Sequence, residues 1–506
     1  VNRVLKIGRK WLYIVHRWVG IAACLLFAIW FLSGLVMMYV PYPSLSQSER
    51  LAGLAPINWR AVKLGPTEAM AKAGLSDFPS KLTLEMASGE PVYRMNPIFR
   101  RLAVSAVDGR RLEGVPPEQG QAIARSFSGL TQPAATETIE RDQWTVAGGF
   151  DAHRPLYRVR FEDPAGTVLY VSSNTGEVVQ DTTRGERFWN WLGSVPHWIY
   201  LTVIRTDQPL WRQVILWTSG VGIVGAVTGI WVGILRLRLR RRYAKGRVTP
   251  YHGWLEWHHI GGLVTGLTLT TWIVSGWLSV NPFEVFRRSD LQAAATASYA
   301  GHDGPTLDAD LARLSAAAPG AREVRFRWEA GRPLAVVSGP SGARAALDAR
   351  TGAPAGFSDA LLFDNARKLM PGARLAAAER LTAEDVYWYG HHGAVTLPVL
   401  RARFADAART WVHIDPLTGE VLGVLDANGR AERWWFNFLH DLDLPVLLQN
   451  RPVWDILVWA LSIGGTIISV SGVVIGWRRL KRKVAHARAP KLRPRPLPPR
   501  GAPAKT

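Results

Sequence analysis

The chain has 506 residues, 48% of them hydrophobic, and a formal net charge of +21; that length is too great for one soluble core. The charge is not spread evenly: residues 1–17 hold five Lys/Arg, residues 236–247 seven and residues 478–506 eleven, all without an acid, while the other 38 basic residues meet 40 acidic ones. An excess confined to segments beside apolar runs argues against nucleic acid as a partner and for membrane topology and anionic lipid.

Four uncharged runs are long enough to span a bilayer, which takes about 20 residues: Trp18–Val40, Gln213–Leu235, Ile260–Phe283 and Ile456–Trp477. The basic clusters place the N-terminus, the central loop and the C-terminus in the cytoplasm. In chain order this predicts an N-terminal segment with the first span (1–40), a periplasmic domain (41–183) and an outer segment with the second span (184–235). A basic cytoplasmic loop (236–259), the third span (260–283), a second periplasmic domain (284–430), an outer segment with the fourth span (431–477) and a disordered basic tail (478–506) follow. The first run exceeds the roughly 7–15 residues of a signal core and lacks a small-x-small cleavage site, so it is expected to stay as an anchor. Cys24, the only cysteine, lies inside that run. Intrachain disulfides, four-cysteine clusters, thiolate zinc sites and C-x-x-C-H haem attachment are thereby excluded.

The two halves repeat each other. At an offset of 242, His16, Gly20, Trp30, Ser33 and Gly34 meet His258, Gly262, Trp272, Ser275 and Gly276. At 243, Pro155, Arg158, Arg160 and Phe161 meet Pro398, Arg401, Arg403 and Phe404. Gly176-Glu177-Val178, His197, Trp211, Gly229, Gly233 and Arg236 likewise meet Gly419-Glu420-Val421, His440, Trp454, Gly472, Gly476 and Arg479. The expected fold is a membrane α-helical bundle of four transmembrane helices with two α+β domains, a tandem duplication whose pseudo-two-fold axis lies along the membrane normal. Alternation predicts strands at Tyr157–Phe161, Val168–Val171, Thr410–Ile414 and Glu420–Leu425, with turns at Asn174-Thr175-Gly176 and Pro416–Gly419. Helices are expected at Pro66–Gly74 and at Asp308–Ala317, the latter capped by Asp308.

The segments IVHRWVG (14–20), VLYVSSNTGEVV (168–179) and TWVHIDPLTGEVLGV (410–424), with the four-span layout, resemble the PepSY-associated transmembrane helix family. Within it the chain is similar to inner-membrane ferric-siderophore reductases of the ferrioxamine type. The D-P-x-T-G-E turn is intact in the second copy, whereas Ser172-Ser173-Asn174 departs from it in the first. The resemblance implies PepSY-like periplasmic domains, a bacterial inner-membrane location and a ferric siderophore, or another iron chelate, as substrate.

Histidines carry the chemistry. His16 and His258 stand at equivalent cytoplasmic mouths of the first and third spans, where an ionisable residue is costly without a role. One imidazole from each helix is the donor set for a bis-histidine haem b, with Gly20 and Gly262 one turn inward giving it room. His259 and His252 are reserve ligands; a one-residue shift turns a helical side chain by about 100°, so one of His258 and His259 faces the iron. His197 and His440 stand before the second and fourth spans in aromatic surroundings and predict a second haem, with Asp441 as an acceptor orienting the imidazole. The competing readings are snorkelling interfacial residues for the first pair and a tryptophan belt for the second. His153, His391 and His392 lie in loops that would hold an iron chelate, His413 reads as structural on its strand, and Met37-Met38 as apolar filler.

One centre near each face makes an electron relay, from a cytoplasmic or quinone-pool donor to a periplasmic ferric chelate. Its macrocycles must bridge spans roughly 30 Å thick. No dinucleotide fingerprint or P-loop is present, so electrons are expected from a partner, for which the basic loop is a docking candidate. The rivals are a dihaem protein with a quinone or redox-protein acceptor, a PepSY-type peptide- or protease-binding module without redox activity, and a transporter built on the symmetric bundle.

Overall fold

In the computed structural model, residues 2–97, 100–302, 304–391, 393 and 395–488 are described. Four helices are long and apolar enough to cross a membrane: Asn2–Met37, Gln208–Arg236, Trp254–Leu278 and Arg451–Arg488. Each starts before its apolar stretch, while the first and third end short of it, at Met37 and Leu278. The fourth continues through RRLKRKVAHAR, so residues 478–488, expected to be disordered, are helical; Lys and Arg there also suit the negative end of the helix dipole. The rest of the expected tail lies outside the described residues.

The chain divides into two compact units, one of residues 1–31, 221–270 and 461–506, the other of residues 32–220 and 271–460. The first unit is helical and packs through small residues. A Cβ at Gly225 would strike Val19 at 2.9 Å, one at Gly266 would meet Ile230 at 3.1 Å, and one at Gly464 would strike Thr265 at 2.5 Å. Such close approach is how helices associate where lipid removes the hydrophobic drive. Leu25, Trp231, Ile234, Val264 and Leu267 remain exposed on the outer faces, as helices surrounded by lipid require.

The second unit carries three antiparallel sheets. One orders β4 (Ala134–Ile139), β5 (Leu156–Phe161), β6 (Val168–Ser172) and β7 (Val178–Thr182). Helix Pro117–Ser128 covers it through Ala124 against Val159, Leu169 and Val171. Another orders β11 (Leu375–Leu381), β12 (Val399–Phe404), β13 (Trp411–Ile414) and β14 (Val421–Leu425), with Leu362 and Ala366 of helix Asp359–Ala366 on Leu400 and Val412. β5, β6 and β7 each begin 243 residues before β12, β13 and β14. β5, β6, β13 and β14 are the strands that alternation predicts, shifted by a residue at their ends; β12 is not among them.

The third sheet has no counterpart among the strands that alternation predicts. β1 (Leu82–Ala87), β2 (Glu90–Met95) and β3 (Leu102–Ser105) join β8 (Glu323–Glu329), β9 (Arg332–Ser338) and β10 (Arg344–Asp348) in the order β10-β9-β8-β1-β2-β3. Both hairpins turn on two residues of positive φ, Ser88-Gly89 (50° and 84°) and Ala330-Gly331 (50° and 74°). That twist matches the strands it connects. β1 pairs with β8 from Leu82↔Phe326 to Glu85↔Glu323, so strands from the two halves share one sheet and two carboxylates face each other. Both are buried, and Arg50 bridges them, with Arg94 closing on Glu85. Helix Pro66–Ala73 ends at Gly74, in the left-handed region at φ 69°, as expected. The later helix is shorter than expected, Leu311–Ala317, and its cap is Asp310 rather than Asp308: the Asp310 side chain accepts from the Arg313 N–H at 3.0 Å.

Candidate functional site

His16, on the first long helix, directs Nδ1 to the Gly225 carbonyl of the second at 3.1 Å. His258, on the third, directs Nδ1 to the Ile468 carbonyl of the fourth at 3.1 Å and to Ser471 Oγ at 3.1 Å. A carbonyl only accepts, so each imidazole carries its proton on Nδ1 and a lone pair on Nε2. The rings stand 6.2 Å apart, centre to centre, and are tilted by 31°. Two glycines make the places for them. A Cβ at Gly229 would strike His16 Cε1 at 2.7 Å, and one at Gly472 would come within 3.3 Å of His258 Cε1 and 2.3 Å of Cys24 Sγ.

Gly20 and Gly262, expected to give a cofactor room, touch neither histidine; a Cβ at either meets nothing within 4 Å. His259 is buried with both ring nitrogens engaged, Nδ1 with Thr249 Oγ1 at 2.8 Å and Nε2 with the Gly233 carbonyl at 2.9 Å. It ties the loop before the third helix to the second helix, and its neighbour His258 is the residue that faces His16. His252 is exposed on that loop.

The second pair is built by the same rule with the helices exchanged. His197 ends the short helix Ser194–His197, and His440 follows a π-helical turn at Arg433–Phe438. His197 Nδ1 meets Ser33 Oγ at 3.1 Å and His440 Nδ1 meets Ser275 Oγ at 3.0 Å. Ser275 Oγ donates its own proton to the Trp272 carbonyl at 3.0 Å, so it accepts from His440 Nδ1–H. Cβ atoms at Gly34 and Gly276 would lie 3.3 and 3.4 Å from the Cε1 atoms of His197 and His440. The repeated Trp-x2-Ser-Gly is therefore a cradle: the serine orients an imidazole and the glycine admits it. The ring centres are 6.1 Å apart at 74°, and Phe436 stacks on His440.

After each histidine the backbone makes the same turn, through Ile199 at φ 49° and Leu442 at φ 54°. Trp211 Nε1 donates to the Trp198 carbonyl and Trp454 Nε1 to the Asp441 carbonyl, both at 2.9 Å. Asp441 is not the group that orients His440; Ser275 is.

Two imidazoles bound through Nε2 to one iron at about 2.0 Å, with roughly 1.1 Å from nitrogen to ring centre, would place the centres about 6.2 Å apart. Both pairs fit that spacing. Among the described residues no group of three or more His, Cys, Asp or Glu is placed to hold a metal ion. A bare ion needs more donors than two imidazoles, whereas a metalloporphyrin lacks only its two axial ones.

The remaining histidines divide differently from the sequence expectation. His153 is buried rather than on an exposed loop, 3.8 Å from Glu177, and burial holds its imidazole below its ordinary value. His391 Nδ1 lies 2.5 Å from the buried Asp443 carboxylate. His392 lies outside the described residues. His413, on β13, accepts a hydrogen bond at Nε2 from Arg401 Nε–H at 2.8 Å and stacks on Trp388; burial, then Arg401, pushes its value down to about 3. It is structural, as its strand position predicts. No family model matches the chain, and no curated protein matches it.

Proposed function

We propose that the chain is a multi-pass membrane reductase that holds two haem b groups, one between His16 and His258 and one between His197 and His440. The observation that carries this reading is the doubled geometry: two histidine pairs at 6.2 and 6.1 Å, each ring held through Nδ1. The Gly225 and Ile468 carbonyls and the Ser275 hydroxyl fix the tautomer and raise the basicity of the opposite nitrogen, and Ser33 Oγ holds the His197 ring at Nδ1. Gly229, Gly472, Gly34 and Gly276 also bring a backbone close to Cε1 of each ring, where a Cβ would crowd it. Haem bound there supplies one-electron transfer.

In this reading the halves are a tandem duplication with PepSY-like outer domains. The basic clusters set an inner-membrane topology, with both termini cytoplasmic and both domains periplasmic. A cytoplasmic or quinone-pool donor supplies electrons and a periplasmic ferric chelate, a siderophore by family resemblance, receives them. The chain's part in the acceptor step is positioning. Purified protein, expressed with ample haem, should show a low-spin b-type spectrum with pyridine-extractable haem at two per chain. Reoxidation of the dithionite-reduced protein by ferric chelates then tests the acceptor. Colourless protein sinks the reductase and leaves the peptide-binding module.

A further inference from the structure

The two copies build the same turn after their histidines but fill it with different chemistry. Where the first has Trp198 and Tyr200, the second has Asp441 and Asp443. The shared φ angles at Ile199 and Leu442 and the shared tryptophan bonds show that the backbone does not require carboxylates there. In the first copy Tyr200 packs among Tyr42, Trp198 and Trp211, with Arg205 over its ring. In the second, Asp443 is 2% exposed and fully engaged. His391 Nδ1 meets its Oδ1, Tyr389 donates to its Oδ2 at 2.9 Å, and Arg433 donates to its backbone carbonyl.

His391 links this buried carboxylate to solvent: its side chain is 25% exposed, and its ring packs edge-on to Trp454. Among the described residues Asp441 and Arg451 also face the pair, with His440 beside Asp441. A buried ion pair is a poor way to gain stability, and the first copy does without one.

We propose that His391 and Asp443 form a proton-relay pair for the His440 position, taking up one proton from water when one electron arrives there. The proposal rests on the haem reading of the His197–His440 pair. The proton enters on the His391 imidazole and is shared across the Nδ1···Oδ1 bond, its charge offsetting the added electron. No bond between heavy atoms is made or broken, and the electron comes from dithionite in the test and from the reductase's donor in use. The His391 imidazole is poised for this: burial lowers its affinity for a proton, but the hydrogen bond and charge of Asp443 outweigh that and hold it above its ordinary value. Both groups are positioning residues, acting through His440.

The test is a spectroelectrochemical redox titration of the full-length protein over about two pH units around neutrality. The haem that His440→Ala removes should have a midpoint that falls as pH rises, by up to about 59 mV per tenfold change in proton activity. In Asp443→Asn and in His391→Gln that slope should collapse, with haem content and absorption spectrum kept. If Asp443→Asn fails to fold, His391→Gln decides, since it leaves the Tyr389 and Arg433 bonds to Asp443 intact. Coloured protein whose slope survives both changes overturns the relay alone. Colourless wild-type protein overturns the haem reading and the relay with it.

Discussion

Gly229→Ala separates a built imidazole site from an accidental neighbour pair. The new Cβ would sit 2.7 Å from His16 Cε1 and 3.1 Å from Nδ1, about an ångström inside normal contact. The ring must swing away, because the glycine lies in a packed helix whose backbone is the stiffer partner. Overpacking of this kind costs about 1–3 kcal/mol, and the swing also loses the Nδ1 bond to Gly225, worth about 1 kcal/mol. At 1.4 kcal/mol per tenfold, haem affinity at that pair should fall roughly 30- to 1,000-fold, with the His197–His440 haem retained. Gly20→Ala is the complement. Its Cβ meets no protein atom within 4 Å, so packing alone predicts an unchanged pigment. Lowered haem at normal thermal stability would mean that the macrocycle uses the space beside that glycine, and this is the outcome expected. Pyridine haemochrome content per chain, with thermal melting as the control for folding, reads both. Two full-occupancy haems in Gly229→Ala would refute the assignment of His16 as a ligand.

Ser275→Ala removes the acceptor of His440 Nδ1–H and should weaken haem retention at that pair alone by about 10- to 100-fold; Ser33→Ala should do the same through His197, as haem-release kinetics would show. His258→Ala should abolish one haem, whereas His259→Gln should keep both and lower stability by about 1–3 kcal/mol through lost bonds to Thr249 and Gly233; equal haem loss in the two variants would contradict the assignment. Arg50→Ala takes the ion-pair partner from Glu323 and leaves Glu85 with Arg94 alone, and should destabilise the second unit by about 3–5 kcal/mol in chemical denaturation. The pH dependence has a definite sign. Burial raises the Glu85 value, but Arg94 and Arg50 outweigh it and hold the carboxyl below its ordinary 4.5. Its contribution is therefore present above pH 4.5 and lost as pH falls through the lower folded value. In Arg50→Ala only Arg94 still holds the carboxyl down, so the folded value should lie closer to 4.5 and less stability should be lost in acid; a wild-type-like acid transition in the variant would contradict the account.

Periodicity and repetition make the four long helices, the strands β5, β6, β13 and β14 and the pairing of His16 with His258 legible in the sequence. Helix ends were less so, because Arg and Lys continue a helix as readily as they mark topology; hence residues 478–488. The paired hairpins have only a faint trace, Gly89-Glu90-Pro91 and Gly331-Arg332-Pro333 standing 242 apart, since a strand pairing between distant halves has no local signature. The Gly229 and Gly472 matches were visible, but a glycine's purpose depends on which ring lies across from it. Asp441 drew attention by adjacency in sequence, whereas the groups that hold the imidazoles come from another helix, at Ser33 and Ser275.

That crossing of donors bears on how the pairs depend on each other. Within each copy the entrance histidine of one helix leans on a backbone carbonyl of the next, and the histidine before that next helix leans on a serine of the first. Each copy thus orients two imidazoles by itself, through partners fixed by its own helix contacts. Neither pair is complete within a copy, since His16 faces His258 and His197 faces His440. A substitution that loosens one Nδ1 acceptor should therefore weaken one pair, whereas one that parts the copies should weaken both. The second kind of change is available away from any histidine. Gly465→Leu would drive a side chain into Phe31, which a mere Cβ already strikes at 2.1 Å. Loss of both haems there, against loss of one in Gly229→Ala, is the pattern that two shared sites require and two independent ones do not.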